Sequence, residues 1–385
     1  MASATAWVDE RGKDAPLGEK GRGYPALDGF RGLAAIIVVY YHVMGLATAF
    51  QSPGLGHGHL AVDLFFALSG FVLFHAYFDR FRQGLSPRKL LILRLIRLYP
   101  LYAVGLFIGI SAQIFILLID PAQAMSPLRL LANIVTGLFI LPSYPPRDAL
   151  FPLNGPFWTL MFELIVNILM AILWRHIGFR RIAILCVVLA AILAAYVIGH
   201  GDAAAGDTWK GLVFGFVRCA SSFCIGILVY RIAHGRRITM IPHNLLFGIL
   251  CAAIVGFLLW PPPVAYAAIY DLVFILLISP LSILLGSRIV LTGPMVRLCT
   301  LLGVTSYAFY VTHCPMIRVL LLWCDRTGAI DYRDHLVLFA SGYTLVFVIL
   351  AYALDRFYDF PVRRWLSRRA AIRVSRPVPD HGRAG

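Results

Sequence analysis

Residues 30–50 read FRGLAAIIVVYYHVMGLATAF, and the fold class turns on how that stretch is read. Twenty-one residues of helix rise about 31 Å, which matches the hydrocarbon thickness of a bilayer. Its only ionisable side chains of acid–base interest are Arg31 and His42. The polar residues before it, 1–28, lack the apolar centre of a signal peptide, so the run is expected to stay in the protein as a spanning helix.

Working outward, runs of the same kind recur to the C-terminus, near 60–78, 95–119, 157–175, 181–199, 211–231, 244–260, 264–286, 298–324 and 336–355. With 30–50 they make ten expected spans. A further apolar run, 128–142, is short for a crossing and reads as re-entrant or interfacial. The composition agrees, at 60% hydrophobic and 14% charged residues, where a soluble domain is nearer half and a quarter. The expected fold class is therefore all-α, a polytopic membrane protein of about ten helices. No internal repeat is evident, and the expected organisation is an N-terminal tail at 1–29, one membrane domain at 30–355 and a basic tail at 356–385.

The net charge of +15 invites a nucleic-acid reading, but the cations sit in short loops and tails between spans, as the positive-inside rule produces. They include Arg80, Arg82, Arg88, Lys89, Arg175, Arg180, Arg181, Arg236, Arg237, Arg288, Arg297 and the tail from Arg356 through Arg376. With ten spans these all fall on one side, opposite Asp202, Asp207, Asp325, Asp331 and Asp334. Both termini are then cytosolic and no nucleic-acid partner is expected. If 128–142 crossed, every later basic loop would move to the wrong side.

The seven cysteines lie in or beside apolar runs without metal-ligand spacing, and read as small buried hydrophobes. His57-Gly58-His59 offers two imidazoles with no further ligand placed by the sequence, so no metal is expected. Gly105-x-x-x-Gly109 and Gly211-x-x-x-Gly215 read as close helix-packing positions.

Ionisable groups at membrane depth are costly and mark function. Arg31 and His42 are eleven residues apart, nearly on one helix face and about 16 Å apart along it. An imidazole there suits a general base toward a hydroxyl; a snorkelling anchor and a helix-bridging hydrogen bond are the plain alternatives for the two. Asp63 and Ser69 share the second span. Arg94 and Arg97 open the third on one face, suited to phosphate or to anchoring. Asn154 through Glu163 turns a loop into a helix and places Trp158 and a lone carboxylate; Glu163 either orients an imidazole or pairs with an arginine. In 306–313, Tyr310 and His313 share a face.

Together these motifs resemble the acyltransferase-3 family of membrane acyltransferases, over nearly the whole chain. The matching pieces are Leu27-Asp28-Gly29-Phe30-Arg31-Gly32 with R-x10-H ending at His42, 62–71 around Asp63 and Ser69-Gly70-Phe71, Arg94-x-x-Arg97, Phe157 through Glu163, and Ser306 through His313. The resemblance implies a ten-helix core, the single-domain form without the hydrolase-like C-terminal domain of many members, and O-acylation of a glycan hydroxyl with acyl-CoA as co-substrate. It assigns Arg31 and His42 to the family's Arg–His pair and Arg94 and Arg97 to its motif arginines.

The expectation that follows is an acetyl-CoA-dependent O-acetyltransferase in a bacterial cytoplasmic (inner) membrane. His42, Glu163 and His313 would be catalytic, and Arg31, Arg94 and Arg97 would hold the donor's phosphates. Asp63, Ser69, Tyr310 and Trp158 would support them, Trp158 by stacking on a sugar. The partners would be acyl-CoA, a glycan or lipid-linked sugar acceptor and membrane lipid, with no tightly bound cofactor. A glycan or lipid transporter is the rival reading, since buried ionisable groups suit it equally, although no inverted repeat is visible.

Overall fold

The computed structural model describes residues 23–50, 56–146, 148–234 and 244–370. Most of the N-terminal tail, Arg236, Arg237 and the far end of the basic tail with Arg376 lie outside those residues. In chain order the helices are α1 (Pro25–Ala47), α2 (Ala61–Arg82), α3 (Pro87–Ile119), α4 (Pro127–Leu138), α5 (Phe157–Leu173) and α6 (Phe179–His200). They continue as α7 (Leu212–His234), α8 (Asn244–Leu259), α9 (Val264–Gly286), α10 (Pro294–Thr327) and α11 (Leu336–Arg369). Among the described residues, nine of these are long and apolar enough to cross a membrane. The tenth expected span coincides with α8, whose 16 residues rise about 24 Å. The chain is an all-α polytopic membrane protein.

Local chemistry sets the helix ends. Proline stands in the first turn of α1, α3, α4 and α10, where its missing N–H has no partner to lose. Ser86 caps α3 by accepting the Lys89 amide at 3.3 Å. Gly201 and Gly328 close α6 and α10 at φ +96° and +64°, a conformation that favours glycine.

The surface and the interior carry opposite chemistry to those of a soluble protein. Val187, Val188 and Ile198 on α6 and Leu338, Leu345 and Ile349 on α11 are exposed, as lipid-facing residues are. Asp63, Asn167, Arg218, Asp271 and His313 are buried among the helices.

Two local features bear on the site. The run 128–142 forms α4, whose terminal carbonyls at Leu138 and Gly137 accept the Tyr99 and Tyr102 hydroxyls of α3, at 2.9 and 2.6 Å. Tyr102 lies 17 residues before the end of α3, so the chain returns about 26 Å along the helix it has just left. The expected tail beyond 355 is also helical as far as Arg369: a widened turn at Asp355–Asp359 leads straight into Phe360–Arg369. Hydropathy ends at 355 because the next buried groups are ionic. Asp355, Asp359 and Arg363 are buried together, with Arg363 Nε 2.9 Å from Asp359 Oδ2.

Glycine sets the closest crossings. An added Cβ would stand 2.1 Å from the Phe223 carbonyl at Gly70 and 2.0 Å from the Ala67 carbonyl at Gly226, so α2 and α7 meet backbone to backbone. At Gly105 it would stand 2.2 Å from the Val311 carbonyl, joining α3 to α10. Of the two Gly-x-x-x-Gly pairs expected at helix-packing positions, Gly105 is at a helix crossing, whereas Gly109 packs on the loop residue Leu153 and Gly211 and Gly215 on the loop residue Gly206.

Candidate active site

Pro315, inside α10, removes the N–H that would bond the Val311 carbonyl one turn earlier. Asn154 supplies the replacement: its side-chain amide donates to Val311 O at 2.8 Å and to Gly105 O at 3.3 Å. This one side chain pins the loop ahead of α5 between α3 and α10. It also brings Phe157 onto Tyr102 as a stacked pair with centroids 4.1 Å apart. The start of α5 is therefore held beside the middle of α10, where His313 stands.

His313 is fully buried and meets His42 of α1, with Nε2 3.2 Å from His42 Nδ1 and ring centroids 4.9 Å apart. The two histidines are 271 residues apart in sequence. The hydrogen bonds around them dictate the tautomers. His313 Nδ1 faces the Phe309 carbonyl at 2.9 Å, which can only accept, so Nδ1 carries the proton and Nε2 a lone pair. That lone pair faces His42 Nδ1, which also faces the Val38 carbonyl at 2.9 Å. His42 Nδ1 is therefore protonated and shared between two acceptors, and His42 Nε2 is left with the lone pair. His42 is partly exposed while His313 is fully enclosed. The pair thus presents one basic nitrogen, on a ring oriented by the other.

Tyr310 closes the same wall. Its ring lies 6.2 Å from that of His313, and its hydroxyl bonds Thr159 Oγ1 at 2.7 Å and donates to Pro156 O at 3.2 Å. Tyr343 of α11 donates to the His313 carbonyl at 3.0 Å.

The other expected residues are placed elsewhere. Glu163 does not orient either histidine: it accepts from Arg94, as a close ion pair, and from Ser69 Oγ at 2.7 Å. A carboxylate in a helix interior takes the strongest donor in reach, and Arg94 on the neighbouring helix is that donor. Arg94 is thereby paired with a carboxylate, as the plain alternative for Glu163 expected. Arg97 lies 3.7 Å from Asp359 and over the Tyr307 ring, and Arg31 pairs with Asp28. Trp158 is 8% exposed, wedged between Phe66 and Phe162 with Gly206 against its ring. It is a core residue, and no face of it is free for a sugar.

Asp63 is paired with Arg218, which the sequence reading did not single out. Arg218 Nε reaches both carboxylate oxygens at 3.0 Å, and Ser222 Oγ donates to the same carboxylate at 3.2 Å. Arg218 also donates to His59 O at 2.8 Å. Asp271, likewise unsingled, meets both His57 and His59. Arg218 and Asp271 stand in apolar runs, and burial of an ionisable group is the signal that would have found them.

Residues 24–356 match the model of a family described as Acyltransferase domain. A relative from Rhizobium radiobacter, protein 2 in picA locus, is 37% identical over 180 residues, which are 43% of this chain and 91% of the relative. No solved structure matches the chain.

Proposed function

The chain belongs to the acyltransferase-3 family and is a membrane acyltransferase, and from that premise we propose that it moves an acyl group, acetyl first among them, from acyl-CoA to a hydroxyl of a cell-surface or exported glycan. The observation that carries this reading is the His42–His313 pair, which leaves one basic imidazole nitrogen at a partly open position in the helix bundle.

In the step proposed, His42 Nε2 takes the proton of the acceptor hydroxyl as its oxygen attacks the thioester carbonyl. The carbon–sulfur bond breaks, CoA leaves as a thiolate, and the imidazolium returns its proton to that sulfur. His313 Nε2 and the Val38 carbonyl both accept from His42 Nδ1 and stabilise the cation formed in between.

The donor's phosphates suit the arginine-rich end of the bundle, which is cytosolic by the charge rule. Arg31 and Arg97 face that end while also serving carboxylates. A recess of about 400 Å³ there is lined by Arg82, Arg175 and Arg231, with Phe78 and Trp174 as ring surfaces. Three guanidiniums beside aromatic rings suit a phosphorylated nucleotide, which supports a CoA donor entering from this side. The acceptor then comes from the opposite side, and the enzyme works in a bacterial cytoplasmic membrane.

Membranes carrying wild type or His42→Ala, incubated with acetyl-labelled CoA, test the reading. Label should enter a polysaccharide or lipid-linked fraction with wild type and drop by about 10²–10⁴-fold in the variant. Equal labelling by both removes His42 from the chemistry. If purified wild type neither binds nor consumes any of several acyl-CoAs, the transporter reading takes over.

A further inference from the structure

The connection between α1 and α2 carries His57 and His59, and α9 carries Asp271, more than 210 residues later. They converge on the far side of the Tyr41 ring from His42. His57 Nδ1 is 2.5 Å from Asp271 Oδ1, and His59 Nε2 is 3.1 Å from Oδ2. One ligand atom from each of the three lies within 4.8 Å of the others. Asp271 is fully buried, whereas the imidazoles are 15% and 13% exposed.

A carboxylate out of reach of water needs a compensating positive charge. The nearby guanidinium, Arg218, is spent on Asp63. A divalent ion between the three brings both charge and bonds.

We propose that His57, His59 and Asp271 form a zinc-type divalent metal site, with a fourth position opening beside the two partly exposed imidazoles. Two nitrogens and one carboxylate oxygen are a common three-ligand set for zinc, which takes nitrogen and oxygen at about 2.0–2.2 Å in a tetrahedron. Ligand atoms then stand about 3.3 Å apart, against 2.5 and 3.1 Å for the two imidazole–carboxylate spacings and at most 4.8 Å across the three residues here. The outer support such a site needs is in place: the Ala203 amide donates to Asp271 Oδ2 at 2.8 Å and holds the carboxylate.

The ion would tie three connections together: the α1–α2 turn, the α6–α7 segment through Ala203, and α9. It would also brace the histidine pair. The His59 ring is 6.3 Å from that of Tyr41, whose ring packs edge-on against His42 at 5.6 Å. The His59 carbonyl is a ligand of the Arg218 guanidinium. The proposal stands on these residues alone and does not depend on the acyl-transfer reading.

The full chain, purified in detergent with a histidine-free affinity tag and stripped with EDTA, is loaded with zinc alone and passed through gel filtration. Metal analysis should find about one zinc per wild-type chain and less than about a tenth of that in His57→Gln/His59→Gln. His335→Gln, which changes an imidazole outside the cluster, should retain the full equivalent. Wild-type zinc should also raise the thermal midpoint by about 3 °C or more, and EDTA should reverse the shift. Zinc-edge absorption of wild type gives a reading that needs no variant to fold: imidazole and oxygen scattering supports the site. Sulfur ligands, retention of zinc by the double variant, or no zinc on wild type with an unmoved midpoint would each overturn it.

Discussion

At the scale of single residues, the histidine pair makes the chemistry directional. In the step proposed above, His313, which has no exposure of its own, fixes the His42 tautomer rather than meeting substrate. His313→Leu removes the acceptor facing His42 Nδ1. It should lower kcat by about tenfold to a hundredfold with KM within about twofold. His313→Gln, whose amide oxygen can accept the same N–H, should recover part of the loss. Steady-state kinetics on the purified variants measures both, and a change confined to KM would place His313 in binding instead. His42 and His313 were legible in the sequence because an imidazole in an apolar run stands out. Their pairing was not legible, since nothing local links groups 271 residues apart. For the same reason Glu163 could be read as orienting an imidazole or as pairing with an arginine, and only packing decided for Arg94. His57 and His59 were read without a third ligand because Asp271 looks, in its own neighbourhood, like one polar residue in an apolar helix.

At the scale of elements, apolar length located the membrane helices, because a bilayer demands a minimum apolar run from each, but it began α3 at 95 where the helix begins at Pro87 and ended α11 at 355. It failed where burial is achieved by other means. The α11 extension buries ions against ions rather than apolar side chains, so hydropathy ended at 355 while the helix runs to Arg369. The α4 return was visible only as a run too short to cross. The parallel contact of α2 and α7 is the element-scale feature most open to test. Gly226→Ala forces a methyl group to 2.0 Å from the Ala67 carbonyl, and neither backbone can move aside. Thermal unfolding in detergent should show a loss of about 1–3 kcal/mol or more, as overpacking gives. Gly248→Ala on α8, with nothing within 4 Å of the added carbon, should be neutral or stabilising by up to about 1 kcal/mol.

At the scale of the whole molecule, the arrangement is a bundle with a basic end, an opposite end and a paired-histidine site reached between them. The charge distribution orients it: a cysteine at exposed Asp334, between α10 and α11, should react with a membrane-impermeant thiol reagent in intact cells. A cysteine at exposed Arg368 should react only after permeabilisation. Equal labelling of both in intact cells would reverse or abolish the assigned sidedness. One feature also constrains how the bundle is made. An arginine entering a bilayer alone costs up to about 3.5 kcal/mol at the centre of a helix, and Arg218 finds its carboxylate on Asp63, made 155 residues earlier. Helices α3, α4, α5 and α6 emerge from the ribosome in that interval. Asp63 therefore has no guanidinium from Arg218 until the seventh helix has been made. The order of synthesis is written into the bundle as an ion pair that cannot close before more than half of the membrane domain exists.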